Sequence, residues 1–276
     1  MSQPITLAVT ASDGHRFDLL HLPAHERARA HLLWLPALGV SARHYLPFAH
    51  ELAALGCSVS LHEWRGHGSS TLRAARQQDW GFAQLLHHDL PASIARLEAE
   101  GITVDTLGGH SLGGQLGSCL AGQVAGLKRL WLVASGSPHW RNFPAPHRYT
   151  LPLAYCALPA IAALTGYLPG RQLGFGGREA RGVIADWARV GRQGHYRIPA
   201  SAEAQMQALQ LDCTAIVLQH DWLAPPASLQ ALLAKLPNST SRTVGLDALQ
   251  LGTRADHFAW MQHPCAVARA LMPIFP

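Results

Sequence analysis

Charge is scarce in this chain: Asp, Glu, Lys and Arg make up 14% of its 276 residues, against 48% hydrophobic residues. That balance excludes a disordered chain and provides for a large buried core, so one sizeable domain with an insertion is expected rather than two independent domains. Basic residues exceed acidic ones by 22 to 17, a formal charge of +5. The arginines are scattered, however, with no basic tract and no stripe of aromatics, so a nucleic-acid partner is not expected. Five cysteines (Cys57, Cys119, Cys156, Cys213, Cys265) are an odd number without C-x-x-C spacing. They read as small buried hydrophobes in a reducing compartment. Positions 1–10 have no basic start and no long apolar core, so a secretory signal is not expected and a cytoplasmic location is. Internal repeats and low-complexity tracts are absent.

One long hydrophobic run is present. Residues 150–170 carry no charge and include Leu151, Leu153, Tyr155, Leu158, Ile161, Leu164, Tyr167 and Leu168, a length that approaches a membrane span. Pro152, Pro159, Gly166 and Pro169 argue against one, because prolines break the hydrogen bonding that a spanning helix needs. Two short apolar helices broken at Pro159 and capping a pocket are expected instead.

Elsewhere, strand and helix patterns alternate. Strands are expected at 5–10 and 16–22 around the Asp13-Gly14 turn, then at 31–35, 57–61 and 104–107. Further strands follow at 127–133, 214–218 and 241–246. Helices are expected at 45–55, 80–100, 112–120, 228–236 and 264–271. The alternation lapses at 139–200, which holds the uncharged run, a glycine bend at 174–177 and an Arg-rich helix near Trp187. The pattern specifies an α/β chain with a mostly parallel central sheet of about eight strands flanked by helices, and ligands at the carboxyl ends of the strands. The expected core is 1–138 and 201–276, with 139–200 as a helical lid insertion.

Gly109-His110-Ser111-Leu112-Gly113 lies where a strand becomes a helix. Flanking glycines let the two elements pass closely and set the serine at the tip of a sharp turn, the geometry an activated hydroxyl needs. Taken with Glu63-Trp-Arg-Gly-His-Gly-Ser69, an Asp after a late strand and a His near the end, this motif resembles the α/β-hydrolase superfamily over nearly the whole chain outside the insertion. That family orders its triad Ser, acid, His along the chain. The resemblance implies Ser111 as nucleophile, Asp221 just past the 214–218 strand as orienting acid, and His257 after the last strand as base. Asp247 is the runner-up acid and Asp256 a weaker one. With seventeen histidines, position does the sorting. His220 adjoins Asp221 and should point away from it, His110 should support the turn by packing, and His62, His67 and Arg65 read as structural. The oxyanion donors implied are the N–H of Leu112 and one from Pro36-Ala37-Leu38-Gly39. Pro36 has no N–H, which leaves Leu38 by position, with Gly39 next.

The resemblance implies a serine hydrolase of the esterase/lipase type that cleaves a carboxylic ester or thioester through an acyl-enzyme on Ser111, with no cofactor and no metal. The uncharged run points to a small-molecule substrate with an apolar acyl chain. The same machinery serves acyl transfer, amides and lactones, and some relatives use the fold to bind a small ligand without turnover.

Overall fold

An eight-stranded sheet organises the computed structural model, which describes residues 3–272; Met1, Ser2 and residues 273–276 of the expected core lie outside the described residues. In chain order the first half comprises β1 (Ile5–Thr10), β2 (Arg16–Leu22), β3 (Ala30–Leu35), α1 (Leu46–Ala54), β4 (Cys57–Leu61), α2 (Phe82–Gln84), α3 (Leu90–Ala99), β5 (Thr106–His110), α4 (Leu112–Leu120) and β6 (Arg129–Val133). Then come α5 (His147–Thr165), β7 (Leu168–Pro169), α6 (Gly170–Leu173), β8 (Arg178–Glu179), α7 (Arg181–Gln193), α8 (Ala202–Ala208), β9 (Asp212–Leu218), α9 (Pro226–Leu233), β10 (Thr240–Leu246), α10 (Ala248–Leu251) and α11 (Cys265–Leu271). The sheet order is β1-β2-β4-β3-β5-β6-β9-β10. Within it β2 pairs antiparallel with both β1 and β4 and every other ladder is parallel, while β7 and β8 form a separate antiparallel pair. The expected fold class is the observed one.

Central strands are buried on both faces, so successive side chains feed two separate cores. Leu33 and Leu35 of β3 join Leu107 and Leu132 on one side; Leu32 and Trp34 join Trp131, Val133 and Ile216 on the other. Strand β5 starts two residues later than the pattern of Val104, Thr106 and Leu107 predicts and ends three residues later, continuing through Gly108 and Gly109 to His110. Pairing to β3 on one side and β6 on the other holds those glycines in the ladder despite their low strand propensity.

Two helices depart from expectation. The single helix at 80–100 is α2, a π-helical turn at Leu85–Asp89, and α3. Pro91 has no N–H for the carbonyl of His87, and a widened turn absorbs that loss. The break expected at Pro159 does not occur, and α5 is one helix of 19 residues with Pro152 and Pro159 inside it. Pro159 cannot serve the Tyr155 carbonyl, and the Arg192 guanidinium of α7 donates to that oxygen instead at 2.8 Å. Among the described residues no helix is long and apolar enough to cross a membrane. The cysteine reading holds for Cys57, Cys119 and Cys213, which are buried, but not for exposed Cys156 on α5; Cys265 is half-buried. Burial pushes the Cys57 and Cys213 thiols up to about 12.

Candidate active site

The turn from β5 into α4 is built on missing side chains. A Cβ on Gly113 would lie 2.0 Å from the Leu35 carbonyl oxygen, and one on Gly109 would lie 2.3 Å from the Gly113 carbonyl carbon. Strand and helix therefore pass at a distance only glycine permits. Gly113→Ala is expected to destabilise the protein by about 3 kcal/mol, read by urea unfolding; a loss under about 0.5 kcal/mol would show that the approach is not tight. Between these glycines Ser111 adopts φ 54°, ψ −118°, a left-handed backbone that a non-glycine residue holds only when its surroundings enforce it. They do so through both backbone groups: Ser111 N–H donates to Val133 O at 3.0 Å, and Ser135 Oγ donates to Ser111 O at 2.7 Å.

Asp221 follows β9 and His257 lies in the loop after β10 and α10, and their side chains meet. The His257 Nδ1 to Asp221 Oδ2 distance is 2.7 Å, with residues 6% and 5% exposed. The other carboxylate oxygen accepts from Leu223 N–H (2.9 Å) and Ala224 N–H (3.2 Å), so the carboxylate is fixed from both ends. With Nδ1 donating to the carboxylate, Nε2 carries the lone pair. His220 is exposed and does not partner Asp221, but it sits in the turn that ends β9, closed by Asp221 N–H donating to Leu218 O at 3.1 Å, and not on the extended segment expected. Asp247 caps α10 by accepting from Gln250 N–H, and Asp256 accepts from Phe258 and Ala259 N–H, so neither competes for His257.

Ser111 and His257 line one cavity of about 250 Å³ with Leu38 and Leu112. Its remaining wall comes from β6–α5 residues such as Phe143, from Leu151, Tyr155 and Leu158 of α5, and from Phe175 and Trp187. Not one Asp, Glu, Lys or Arg side chain is among the lining residues. Within the described residues, the N–H groups of Leu38 and Leu112 have no hydrogen-bond partner in the protein; Leu112 is the first residue of α4, where orphan N–H groups and the helix dipole favour negative charge. Gly39 has φ +78° and packs on Gly177, so its neighbourhood is set by the 174–177 bend.

Sequence reasoning missed what holds the Leu38 loop. Tyr45 Oη accepts from Ala37 N–H at 2.9 Å and donates to His110 Nδ1 at 2.8 Å, which ties this loop to the residue before Ser111. His110 thus supports the turn by a hydrogen bond as well as by packing. Its only sequence signal is the aromatic starting a helix. Arg65 is structural, bridging Asp13 at 2.7 Å and Asp89 at 2.6 Å, and the Arg65 contact holds the Asp13 carboxyl down at about 2.

A second Ser, His, Asp chain was also missed. Ser70 Oγ lies 2.8 Å from His15 Nε2, and His15 Nδ1 lies 2.9 Å from Asp89 Oδ1. All three are buried and none lines a described cavity, while Ser70 Oγ also accepts from Gly66 N–H. No substrate can reach that serine, so connectivity alone does not make a site.

Buried histidines carry a pH signature. Burial lowers His62 to about 3 and lowers His110 well below its usual range. Between about 3 and 6.5 the unfolded chain binds a proton at His62 that the folded chain refuses, so stability falls as pH drops through that window. His67 works in the opposite sense: burial disfavours its charge, but the Glu179 carboxylate outweighs burial and raises it. Urea unfolding at pH 7 and pH 5 should show a loss of about 2 kcal/mol from His62. His62→Asn should remove that share, and an unchanged pH dependence would contradict the assignment.

Comparison with known proteins gives a family model and a set of similar folds. The family model described as Serine aminopeptidase, S33 (Hydrolase_4) matches residues 26–168, a span that includes Ser111 and ends before Asp221 and His257. A hydrolase from Pseudomonas aeruginosa PA01 is similar at 17% identity and TM-score 0.63, covering 96% of each chain. The esterase domain of a Rhodothermus marinus protein is similar at 17% identity and TM-score 0.64, covering 98% of this chain and 96% of that one. A thermophilic esterase from Thermogutta terrifontis gives 17% identity and TM-score 0.62, covering 98% and 97%. At this identity the likeness is one of fold. A search of curated proteins finds no match.

Proposed function

Since the chain belongs to the Hydrolase_4 family of α/β hydrolases, whose model is described as Serine aminopeptidase, S33, we propose that it is a serine hydrolase cleaving carboxylic esters or thioesters of apolar acids. One observation carries this reading: the Ser111 turn and the His257–Asp221 pair open on a single cavity whose wall has no Asp, Glu, Lys or Arg side chain. His257 Nε2 takes the Ser111 Oγ proton as Oγ attacks the acyl carbon. The Leu38 and Leu112 N–H groups hold the oxyanion, and the proton passes to the departing alcohol or thiol. Water then attacks the acyl-enzyme with His257 again as base. Asp221 fixes the imidazole and stabilises its cation without taking the proton.

Residues 139–200 act in this scheme as the lid, and 1–138 with 201–276 as the core. The lid is anchored, with Asp186 Oδ2 accepting from Phe82 N–H at 2.8 Å and Asp79 Oδ1 accepting from Gly182 N–H at 3.0 Å. Its apolar run divides its labour. Leu151, Ala154, Tyr155 and Leu158 face the cavity, Ala162 and Leu168 are buried, and Leu153 and Leu164 are exposed. Because the wall offers no carboxylate to an α-ammonium group, peptides with a free amino terminus fit it poorly, and an ester or thioester fits better.

A panel of p-nitrophenyl esters and aminoacyl p-nitroanilides tests the reading. Rates should rise about fourfold per methylene from acetyl upward until the cavity is full, with aminoacyl anilides inert. Leu158→Trp should move the optimum to shorter chains. Rates falling steadily from acetyl to octanoyl, or anilides outrunning esters, would overturn it.

A further inference from the structure

The cavity wall contains one side-chain amide that the reaction scheme leaves idle. Gln115 lies on α4, four residues after Ser111 in sequence, and lines the same cavity. It is 6% exposed. Its Oε1 accepts from Tyr196 Oη at 3.3 Å. Tyr196 is buried, and among the described residues its hydroxyl has no other partner. The hydroxyl must donate somewhere, so the amide turns its carbonyl to Tyr196 and leaves Nε2, with two N–H bonds, on the cavity side. Among the described residues Nε2 has no partner. Of the other polar side chains lining the cavity, Tyr155 already donates to the Pro138 carbonyl, Ser111 and His257 serve the chemistry, and Trp187 and Trp222 bring indoles.

Two fixed donors in an apolar wall disfavour a purely hydrocarbon occupant, since a plain alkyl chain would strip water from them and return nothing. Such an oriented amide is how an otherwise greasy pocket reads its ligand. The half-exposed rings of Trp222 (49%) and Phe258 (45%) belong to the outer part of the wall, and buried Gln115 to the inner part. The group it meets is therefore the part of the occupant that lies away from the mouth of the cavity.

We propose that Gln115 is a specificity residue whose Nε2 donates to an oxygen borne within the acyl chain, so that the substrate is an oxygenated acyl ester, with a keto, ether or hydroxyl oxygen a few bonds beyond the carbonyl, rather than a plain alkanoyl ester. This rests on the serine hydrolase reading and narrows it.

The test compares p-nitrophenyl esters in pairs matched for length, plain against oxo-substituted, with the oxo group walked along the chain. For wild type, one oxo position should exceed its plain partner by about 2- to 10-fold in kcat/KM, the worth of one neutral hydrogen bond. In Gln115→Leu and Gln115→Met that preference should vanish, the oxo esters falling to the level of their plain partners. No preference at any position, or equal loss on both series in the variants, would overturn the proposal. A parallel calorimetric arm uses alkan-2-ones and alkanediones, which cannot be hydrolysed. Tighter dione binding to wild type, absent in the Gln115 variants, upholds the role of Gln115 even where no ester is cleaved, and that pattern would count against the hydrolase reading alone. Equal binding of the two ketone series overturns the role of Gln115.

Discussion

Ser111→Ala is expected to lower kcat/KM on the best ester by at least about 10⁴-fold and to leave the fold intact. The hydroxyl is the group that forms the acyl-enzyme in the proposed scheme, and no neighbouring side chain can replace it at the tip of the turn. Removing it leaves no protein group unpaired, since the backbone bonds to Val133 and from Ser135 hold the turn without Oγ. Ser111→Gly should be as inactive, yet more stable than wild type by about 1 kcal/mol, because glycine adopts φ 54° without the strain of a Cβ. The two variants separate catalytic from conformational roles, with kinetics reading one and urea unfolding the other. Alanine retaining more than about a tenth of the rate would move the nucleophile elsewhere.

Asp221→Asn should cost about 10³- to 10⁴-fold in kcat/KM with little loss of stability. Asp221 Oδ1 accepts two backbone N–H groups, from Leu223 and Ala224, so the amide oxygen of an asparagine is drawn to that side. Its NH₂ then replaces Oδ2 opposite His257 Nδ1, where the present separation is 2.7 Å. Facing a donor, Nδ1 must become the acceptor, the proton moves to Nε2, and the ring can no longer take a proton from Ser111. Asp221→Ala removes the acceptor for both backbone N–H groups as well and should also destabilise by about 1–3 kcal/mol. Asparagine with near wild-type activity would show that tautomer control by Asp221 is not part of the mechanism.

The sheet was legible because hydrophobic runs and turn residues alternate on a regular spacing, and even the antiparallel start was marked by Asp13-Gly14. What escaped were features decided by distant partners. Pro159 reads as a helix break until Arg192 from another helix takes the freed carbonyl. Gly109 reads as turn until two flanking strands hold it, with Gly108, in a ladder. For the site, chain order singled out Asp221 over Asp247 and Asp256, and the structure gives each of the other two a local backbone role. Gln115 and the buried Ser70–His15–Asp89 chain left no signal, and Tyr45 only an aromatic at the start of a helix, because their partners lie 81, 55, 74 and 65 positions away in sequence. The cavity itself was half legible: the uncharged run announced apolar surface, but not which face of one helix would meet Ser111.

The most direct measurement is mass spectrometry of the protein after exposure to a fluorophosphonate. One adduct on the peptide carrying Ser111, lost in Ser111→Ala and formed far more slowly in His257→Gln, is the predicted result. No adduct under conditions that label a control serine hydrolase, or an adduct on a different serine, would contradict the account.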